Sequence, residues 1–339
     1  YLVGGAIRDE LLGIPFDEKD WLVVNSSHKE MIKQGFKQVG KNFPVYLHPK
    51  TKEEYALARK ESKIGKGHKK FSFYIKSDVT LKEDLKRRDI TINAIAKDES
   101  GKFYDPFGGI KDLKNRKIRI VSKAFSEDPL RLFRVARFKS KLADFNFSIS
   151  SDTLKVLKKM SSNGEINFLS GERIWDETYK ALSYKNSSKY FSTLKRVEAL
   201  KYFDGLEKTY SKNLKFLKQM DNEKNMILEK WAIINLNSTE VEILEKKIKV
   251  PKKISNFRKT LNEVLGLIRQ KKFNEKKILS SLSRMNAFRN EFNLLNSLDL
   301  LQKLNIISTK KNKNWKFLLN ALKKIKVKTS GLNAQQIKE

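Results

Sequence analysis

Residues 1–24 decide the fold, and they read YLVGGAIRDELLGIPFDEKDWLVV. An apolar run ends at Gly4 and Gly5, a helical segment carrying Arg8 follows, and a second apolar run begins after Asp20. Paired glycines let a backbone approach a phosphate closely, and a helix start offers free N–H groups to an anion. This order of apolar run, glycine pair and helical segment predicts a phosphate-binding turn at Gly5, with Arg8 donating to phosphate oxygens. A glycine turn without a ligand is the alternative.

Two carboxylates lead into the second apolar run. On a strand, Glu18 and Asp20 point to one face, whereas Asp17 points to the other. Paired carboxylates can hold Mg²⁺ for phosphoryl or nucleotidyl transfer. We therefore predict that Glu18 and Asp20 are catalytic and ligate the metal, the alternative being a charged turn before a core strand. Glu54 is the candidate third carboxylate, and a solvated Glu53/Glu54 surface pair is the equal alternative.

The composition points to a polyanionic partner. The 339 residues carry 72 Lys+Arg against 39 Asp+Glu, a formal net charge of +33. A surface this cationic attracts nucleic acid or anionic membrane, although a lysine-rich genome could contribute to the count. Cys is absent, which excludes disulfides and thiolate zinc sites. Only three His occur, so a His-rich metal site is not expected; they are His28, His48 and His68.

The chain changes character along its length. Residues 1–125 alternate short strands with helices, and helical periodicity dominates from residue 126 onward. Residues 201–339 hold 31 Lys+Arg and 13 Asp+Glu, a net charge of 31 − 13 = +18. We predict an α+β fold: a catalytic head over 1–125, a helical neck over 126–200, and a helical body and tail over 201–339. No leader and no apolar run near the ~20 residues of a membrane span is evident, so we expect a cytoplasmic protein without a membrane partner.

Local patterns predict individual elements. Ser26 or Ser27 should cap a helix that ends near Gln34. Lys60–Lys70 contains Gly65, Gly67 and many lysines, which is typical of a mobile basic loop. The remaining predictions are a strand at 20–25, hairpins at 45–48/53–59 and 95–97/102–104, a helix at 81–88, and apolar helical faces at Leu130/Phe133/Phe138, Leu154/Leu157, Leu261/Val264/Leu265/Ile268 and Phe317/Ala321/Leu322/Ile325.

Several motifs follow one another in a family-like order. After the glycine turn and the carboxylates come RRDITINA at 87–94, DPFGGIKDL at 105–113 and EDPLRLFRVARF at 127–138. Residues 42–61 read NFPVYLHPKTKEEYALARKE. With this order, about the first 200 residues resemble the class II tRNA nucleotidyltransferases, which add CCA to tRNA 3′ ends, and the related bacterial poly(A) polymerases. Residues 42–61 resemble the gamma-proteobacterial CCA-adding enzymes.

The resemblance implies a polymerase-beta-like nucleotidyltransferase head followed by an all-α neck, body and tail. It implies Mg²⁺-dependent, template-independent addition of CCA from CTP and ATP, with release of pyrophosphate. The tail is expected to bind the acceptor and TΨC arm of tRNA, and a monomer is favoured. The alternatives are a poly(A) polymerase, an enzyme adding only A or only C, or a non-catalytic tRNA-binding protein with a decayed metal site.

The resemblance also implies the roles of individual side chains. Asp128 and Arg131, as i, i+3 neighbours on a helix, would accept from the exocyclic amine and donate to the ring acceptor of cytosine or adenine. Guanine and uracil reverse that pattern and would leave both groups unpaired. A helix capped by Ser126 is the structural alternative. The full set of implied nucleotide-binding residues is Gly5, Arg8, Arg88, Asp128, Arg131, Arg134 and Arg137, with Asp89 placed toward the ribose and with Glu172, Arg173 and Glu177 bracing the helix.

Two departures from the family pattern are visible. The family has Asp-x-Asp where this chain has Glu18-Lys19-Asp20, and the longer Glu side chain could slow catalysis because Mg²⁺ demands near-ideal distances. Many gamma-proteobacterial relatives carry a His-Asp phosphohydrolase domain. Because every His here lies at or before residue 68, we expect that domain and its phosphatase activity to be missing.

Overall fold

The computed structural model describes residues 1–39, 45–63, 71–74, 78–270 and 274–324. A mixed sheet with helices forms the N-terminal part, and helices dominate from residue 130 onward. The predicted α+β class is therefore confirmed. The names head, neck and body are kept below for residues 1–125, 126–200 and 201–339, whose boundaries remain a prediction.

The head is built on a seven-stranded sheet with the order β3-β4-β5-β2-β1-β8-β9. Neighbouring strands are antiparallel except β2 and β5, which run parallel. This central pair places Asp20 opposite Glu54. The strands of the head are β1 (Leu2–Val3), β2 (Asp20–Val23), β3 (Lys37–Val39), β4 (Val45–Leu47), β5 (Glu54–Leu57), β6 (Lys60–Lys63), β7 (Phe71–Tyr74), β8 (Ala96–Lys97) and β9 (Phe103–Tyr104). Strands β6 and β7 form a separate two-stranded sheet.

The helices of the head begin where local chemistry favours them. Ser27 and Glu30 form a reciprocal capping box, as do Thr80 and Glu83, so the N-terminal N–H groups of the helices that follow are satisfied. The predicted cap at Ser27 is therefore confirmed. The head helices are α1 (Gly5–Leu11), α2 (His28–Lys33), α3 (Leu81–Lys86) and α4 (Gly109–Lys114).

Neck and body are helical throughout the described residues, apart from short 3₁₀ turns and one small sheet. In that sheet β10 (Lys117–Ile118) of the head runs parallel to β11 (Ser148–Ile149) of the neck. The neck helices are α5 (Leu130–Lys141), α6 (Ser151–Ser162), α7 (Gly171–Ser183) and α8 (Ser188–Arg196). The body helices are α9 (Leu206–Gln219), α10 (Ile227–Ile234), α11 (Val241–Lys247), α12 (Lys252–Ile268), α13 (Glu275–Arg284), α14 (Phe292–Lys303) and α15 (Thr309–Lys324).

One hydrophobic core runs from the head into the body. It joins Ile7 and Ile92 of the head to Phe133 of α5, Trp231 of α10 and Leu319 of α15. Burial of this apolar surface is the main force that orients the helices. A smaller cluster covers the other side of the head sheet and includes Val3, Leu22 and Leu85.

Two predictions about local structure are wrong in part. Lys60–Lys63 forms β6, which pairs antiparallel with β7, so the predicted loop is wrong at these four residues. The rest of the predicted loop, 64–70, lies outside the described residues. Phe317 was predicted on an apolar face, yet 76% of it is exposed. Within the described ranges, none of the helices has the length and hydropathy that crossing a bilayer requires.

Candidate active site

The turn between β1 and α1 forms one wall of the site. Gly4 has φ of 79°, a left-handed conformation that favours glycine. A Cβ atom at Gly4 would lie 2.9 Å from Nη1 of Arg88, so both the conformation and the close approach require glycine. Gly5 then begins α1, as the sequence predicts.

Three carboxylates line the site next to this turn. Strand β2 begins only at Asp20, and residues 14–19 have no regular secondary structure. The prediction that Glu18 lies on the strand is therefore wrong, although Glu18 and Asp20 line the same cavity. Asp17 lines it as well, contrary to prediction, because strand alternation does not constrain it outside β2.

Asp20 is placed where its charge matters. Desolvation of its carboxyl group raises the pKa of Asp20 although the residue as a whole is exposed; the Arg88 guanidinium opposes the rise and Glu18 adds to it. The influence of both groups shows that the glutamate and the arginine lie near this carboxylate. The pair predicted from sequence is thus brought together.

Glu54 does not join Glu18 and Asp20 as a third carboxylate of the cavity lining. It is exposed and is the register partner of Asp20 across β2 and β5, yet it is not part of the cavity lining. Its neighbour Glu53 accepts from Nε1 of Trp21 at 3.1 Å and pairs with Lys19 at 3.4 Å. Within the described part of the chain, no three acidic or histidine side chains form a group suited to a metal ion.

Arg8 is buried and fully engaged at the base of the cavity. Its guanidinium donates to both carboxylate oxygens of Asp9, at 2.8 and 2.9 Å, and to Oδ1 of Asn93 at 2.7 Å. Lys141 of α5 joins the same carboxylate at 2.8 Å. The paired carboxylate and amide fix the guanidinium beside the phosphate-binding turn, so Arg8 contributes positive charge from a rigid position.

Arg88 retains donor capacity toward the cavity. Nη2 of Arg88 lies 3.3 Å from the buried carboxylate of Asp84. Its Nε is buried and has no hydrogen-bond partner among the described residues. A buried unpaired guanidinium N–H is costly, and the side chain as a whole lines the cavity, where its charge favours an anionic ligand. The position agrees with the phosphate contact that the sequence predicts.

Asp89 connects the head to α5. Its Oδ2 accepts from Nε of Arg134 at 2.7 Å, and its Oδ1 accepts from the Ile90 N–H at 2.8 Å and from Nδ2 of Asn93 at 3.0 Å. Burial alone would raise the pKa of Asp89, but Arg134 and these hydrogen bonds hold it well below its ordinary value. Asp89 is therefore a buried anchor for Arg134, whereas the sequence placed it toward the ribose.

Glu177 of α7 holds the next turn of α5. Its carboxylate is buried, accepts from Nε of Arg137 and lies 3.8 Å from Nη1 of Arg134. Arg137 also lies over the ring of Phe138, with 4.3 Å to the centroid. These contacts brace the helix in the way the resemblance implies for Glu177, and they orient both arginines along the cavity.

Asp128 precedes α5 instead of lying on it. Pro129 restricts the residue before it to extended backbone, and α5 begins at Leu130. The predicted i, i+3 pair on one helix, and the predicted Ser126 cap, are therefore wrong. Oδ1 of Asp128 accepts from the Leu130 N–H at 3.0 Å, and its Oδ2 pairs with Arg173 at 2.8 Å.

Arg131 reaches back to the head. Its Nη2 donates to the carbonyl oxygen of Arg87 at 2.6 Å, and its Nη1 donates to that of Ala124 at 3.1 Å. Asp128 and Arg131 nevertheless line the same cavity, as does Arg173. The three-dimensional arrangement thus brings the predicted acceptor and donor together by a route other than helical spacing.

A turn outside the cavity fixes the approach to the neck. The carboxylate of Asp105 accepts the Gly109 N–H at 2.6 Å and the Ile110 N–H at 2.8 Å. A Cβ atom at Gly109 would lie 2.2 Å from the Thr91 carbonyl oxygen. The turn is tightly bonded, and none of residues 105–113 is part of the cavity lining.

The predicted catalytic, metal and nucleotide-binding residues, with the exception of the candidate third carboxylate Glu54, line one cavity of about 1820 Å³ between head and neck. The head supplies the glycine turn, the carboxylates and Arg88, and the neck supplies α5 and α7. Sequence reasoning missed several lining residues because their partners are distant in the chain; they are Asp9, Arg59, Asn93, Lys141, Lys180 and Tyr184. Asn93 lies within the motif quoted at 87–94, which is the one signal that could have found it.

Two family models match the chain. The poly A polymerase head domain matches residues 1–119, and the probable RNA and SrmB-binding site of polymerase A matches residues 146–208. Over residues 1–119 the chain is similar to the poly A polymerase head domain. The first match contains the glycine turn and the carboxylates, and the second contains α7 with its bracing side chains.

Curated relatives match about three fifths of the chain. The CCA-adding enzyme of Coxiella burnetii (strain RSA 493 / Nine Mile phase I) is 56% identical over 200 residues, which are 59% of this chain and 53% of that protein. The CCA-adding enzyme of Actinobacillus succinogenes is 53% identical over 200 residues, 59% of this chain and 50% of that protein. The chain spans about half the length of the curated relatives it matches. The resemblance to class II tRNA nucleotidyltransferases is confirmed over this stretch.

Solved structures resemble the chain over nearly its whole length. The CCA-adding enzyme of Bacillus stearothermophilus in complex with CTP has a TM-score of 0.67 at 25% identity, covering 99% of this chain and 82% of that chain. The Thermotoga maritima CCA-adding enzyme complexed with tRNA has a TM-score of 0.61 at 22% identity, covering 99% and 80%. The helical body therefore has the fold of these proteins even where sequence similarity is low.

Proposed function

We propose that this chain adds CCA to tRNA 3′ ends from CTP and ATP by template-independent nucleotidyl transfer. The observation that carries the proposal is the cavity in which the glycine turn, Glu18, Asp20 and Arg88 of the head face Asp128 and Arg131 of the neck. A carboxylate pair, a phosphate-binding wall and a base-reading pair are the parts that such a reaction needs. The identity to CCA-adding enzymes over residues that hold all of these parts supports the same reaction.

The donor set fits Mg²⁺. Mg²⁺ is usually held by one or two carboxylates together with substrate phosphates and water, and Glu18 and Asp20 supply two hard oxygen ligands beside the phosphate-binding wall. Bound there, Mg²⁺ would lower the pKa of the RNA 3′ hydroxyl and neutralise charge on the transferred phosphate. Asp17 is a further oxygen donor in the same lining and could offset the departure from Asp-x-Asp at Glu18.

The side chains of the chain itself orient the nucleotide. Arg88 lines the same cavity and directs the positive charge of its guanidinium toward the triphosphate. Arg134 and Arg137, held by Asp89 and Glu177, present fixed positive charge along the same path. Because these arginines are oriented before the nucleotide arrives, little reorganisation is needed when charge develops on the departing pyrophosphate.

Base choice falls to Asp128 and Arg131. An ionised carboxylate offers about four acceptor positions, and Asp128 uses three of them, one for the Leu130 N–H and two for Arg173. The remaining capacity can accept the exocyclic amine of cytosine or adenine, while an Arg131 N–H donates to the ring acceptor. Arg173 fixes the carboxylate, so a base with the reversed pattern meets a rigid mismatch.

The basic body supports a tRNA partner. Its net charge of +18 suits the phosphate backbone of the acceptor and TΨC arm, and the tRNA-bound Thermotoga maritima protein shares its fold. Binding that depends on such contacts weakens steeply with salt. A tRNA affinity that stayed constant between 50 and 200 mM salt would contradict this surface.

Product size decides between CCA addition and its relatives. Purified protein is incubated with Mg²⁺ and a tRNA lacking CCA, with CTP alone, ATP alone or both. Addition of two residues with CTP alone and of three with both nucleotides is expected. A long A tail would indicate a poly(A) polymerase. A tRNA that gains only C when both nucleotides are present would indicate a C-only enzyme, and a tRNA that gains only a single A would indicate an A-only enzyme.

A substitution at Asp20 tests the metal assignment. Asp20→Asn should abolish incorporation and weaken Mn²⁺ binding measured by electron paramagnetic resonance, while tRNA affinity stays unchanged. Asp152→Asn, a change at an exposed aspartate on α6, is the matched control. Incorporation that survives in Asp20→Asn would refute the assignment. Tight tRNA binding by a wild-type protein that incorporates nothing would indicate a non-catalytic binder.

A further inference from the structure

The body buries a lysine at its junction with the neck. Lys230 of α10 has none of its surface exposed. Its Nζ donates to the carbonyl oxygen of Tyr184 at 2.5 Å and to that of Glu223 at 2.7 Å. Tyr184 directly follows α7 as its C-terminal cap, so the cation satisfies a carbonyl just beyond the end of that helix, where a positive charge is favoured.

The loop between α9 and α10 holds the same stretch of chain by its backbone. The Asn225 N–H donates to the carbonyl oxygen of Ser183 at 2.9 Å, and the Asn186 N–H donates to that of Asp221 at 2.6 Å. These bonds lie on either side of Tyr184. The body therefore determines where the chain runs as it leaves α7.

The side chain of Tyr184 points the other way, into the nucleotide cavity. It is part of the cavity lining, and its hydroxyl oxygen lies 3.4 Å from Nη1 of Arg137. Arg137 is held on its other side by Glu177. The phenol is thus the second support of a guanidinium that faces the triphosphate in the proposed reaction.

We propose that Lys230 is a positioning residue for nucleotide binding: it fixes the carbonyl of Tyr184 so that the Tyr184 hydroxyl stays against Arg137. The proposal rests on the proposed function, because Arg137 is taken to contact the triphosphate. It gives the body a direct part in forming the nucleotide cavity.

The cost of burying this charge supports a role beyond packing. Desolvation lowers the pKa of Lys230 to about 8, although Asp221, Glu223 and Glu229 act to raise it. Within the described structure its hydrogen-bond partners are two backbone carbonyls, so no direct carboxylate contact offsets the desolvation. An apolar side chain would fill the same volume without that penalty; what it could not do is hold a carbonyl in place.

Lys230→Met tests the proposal, since it keeps the length of the side chain and removes the donors. The KM for CTP and the KM for ATP should rise about three- to tenfold, the scale of one lost hydrogen bond. The KM for tRNA and kcat should change less than twofold, a split that a general loss of folded protein would not produce. Lys303→Met is the matched control, because Lys303 pairs with the side-chain carboxylate of Glu223, whereas Lys230 is the lysine that bonds the Tyr184 carbonyl oxygen.

A second variant tests whether Lys230 acts on nucleotide binding through Tyr184. Tyr184→Phe removes one hydroxyl from the cavity wall and should raise the same two KM values. If Lys230 acts through Tyr184, the double variant is no worse than the more affected single variant. Tyr184→Phe also keeps the proposal testable where Lys230→Met does not fold.

Two results would overturn the proposal. One is an unchanged KM for CTP in Lys230→Met or in Tyr184→Phe, and the other is a double variant whose effects multiply. The proposed function fails separately, if the wild-type protein does not extend tRNA at all. In that case the dissociation constant for CTP, measured by calorimetry without tRNA, decides the proposal: a rise in Lys230→Met supports it and no change refutes it.

Discussion

Asp89→Asn removes the charge that ties the head to α5. In the folded protein Asp89 is 6% exposed, and its carboxylate accepts three hydrogen bonds, from Arg134, Asn93 and the Ile90 N–H. The amide of an asparagine must turn its NH₂ group toward at least one of these donors. The change therefore leaves Arg134 with only the more distant Glu177 and creates a donor–donor clash.

The size of the effect follows from burial. Breaking a fully buried ion pair costs about 3–5 kcal/mol. The Arg134 side chain is 37% exposed, so water compensates part of the loss, and we expect the free energy of unfolding to fall by about 2–3 kcal/mol. Because the pKa of Asp89 is lowered in the folded state, its contribution is present at neutral pH and declines as the pH falls below the ordinary aspartate value.

Urea unfolding at pH 7 followed by far-UV circular dichroism measures the difference, and CTP incorporation is followed in parallel. Asp152→Asn is the control, because that carboxylate is 88% exposed and pairs with Lys155 at 3.4 Å; its effect should stay below about 0.5 kcal/mol. A loss in Asp89→Asn of less than about 0.5 kcal/mol would refute the view that this pair anchors α5.

Three further predictions concern single side chains. Gly266→Ala should stabilise the protein by about 1 kcal/mol in thermal or urea unfolding, because a Cβ there meets nothing within 4 Å inside α12; a destabilised variant would contradict the open space. Gly109→Ala should destabilise it by about 2 kcal/mol or more, since its Cβ would lie 2.2 Å from the Thr91 carbonyl oxygen; an unchanged midpoint would show that the turn can shift. Stability should rise by about 3 kcal/mol between pH 8 and 10.5, because burial lowers the pKa of Lys230 to about 8 and the unfolded chain binds more protons over that window. Lys230→Met should remove this rise, and an identical pH profile in the variant would argue against it.

The sequence predicted those structural features that depend on residues close together in the chain. The glycine turn, the capping box at Ser27 and the helical faces depend on residues within a few positions of one another, so their patterns predict β1, α2 and α12 directly. Motif order predicted the cavity residues, and the structure brings Asp20, Arg88 and Arg131 to one place.

Only the tertiary structure decided how these residues are held. The irregular stretch before β2 turned Asp17 into the cavity, whereas the position of Asp128 ahead of α5 follows from the local effect of Pro129. Lys230 contacts Tyr184 across 46 residues of chain. Periodicity reports which face of an element is apolar, whereas a contact between distant segments depends on how whole elements pack. The sequence therefore determined the parts of the site, and the packing of head, neck and body determined which side chains support them.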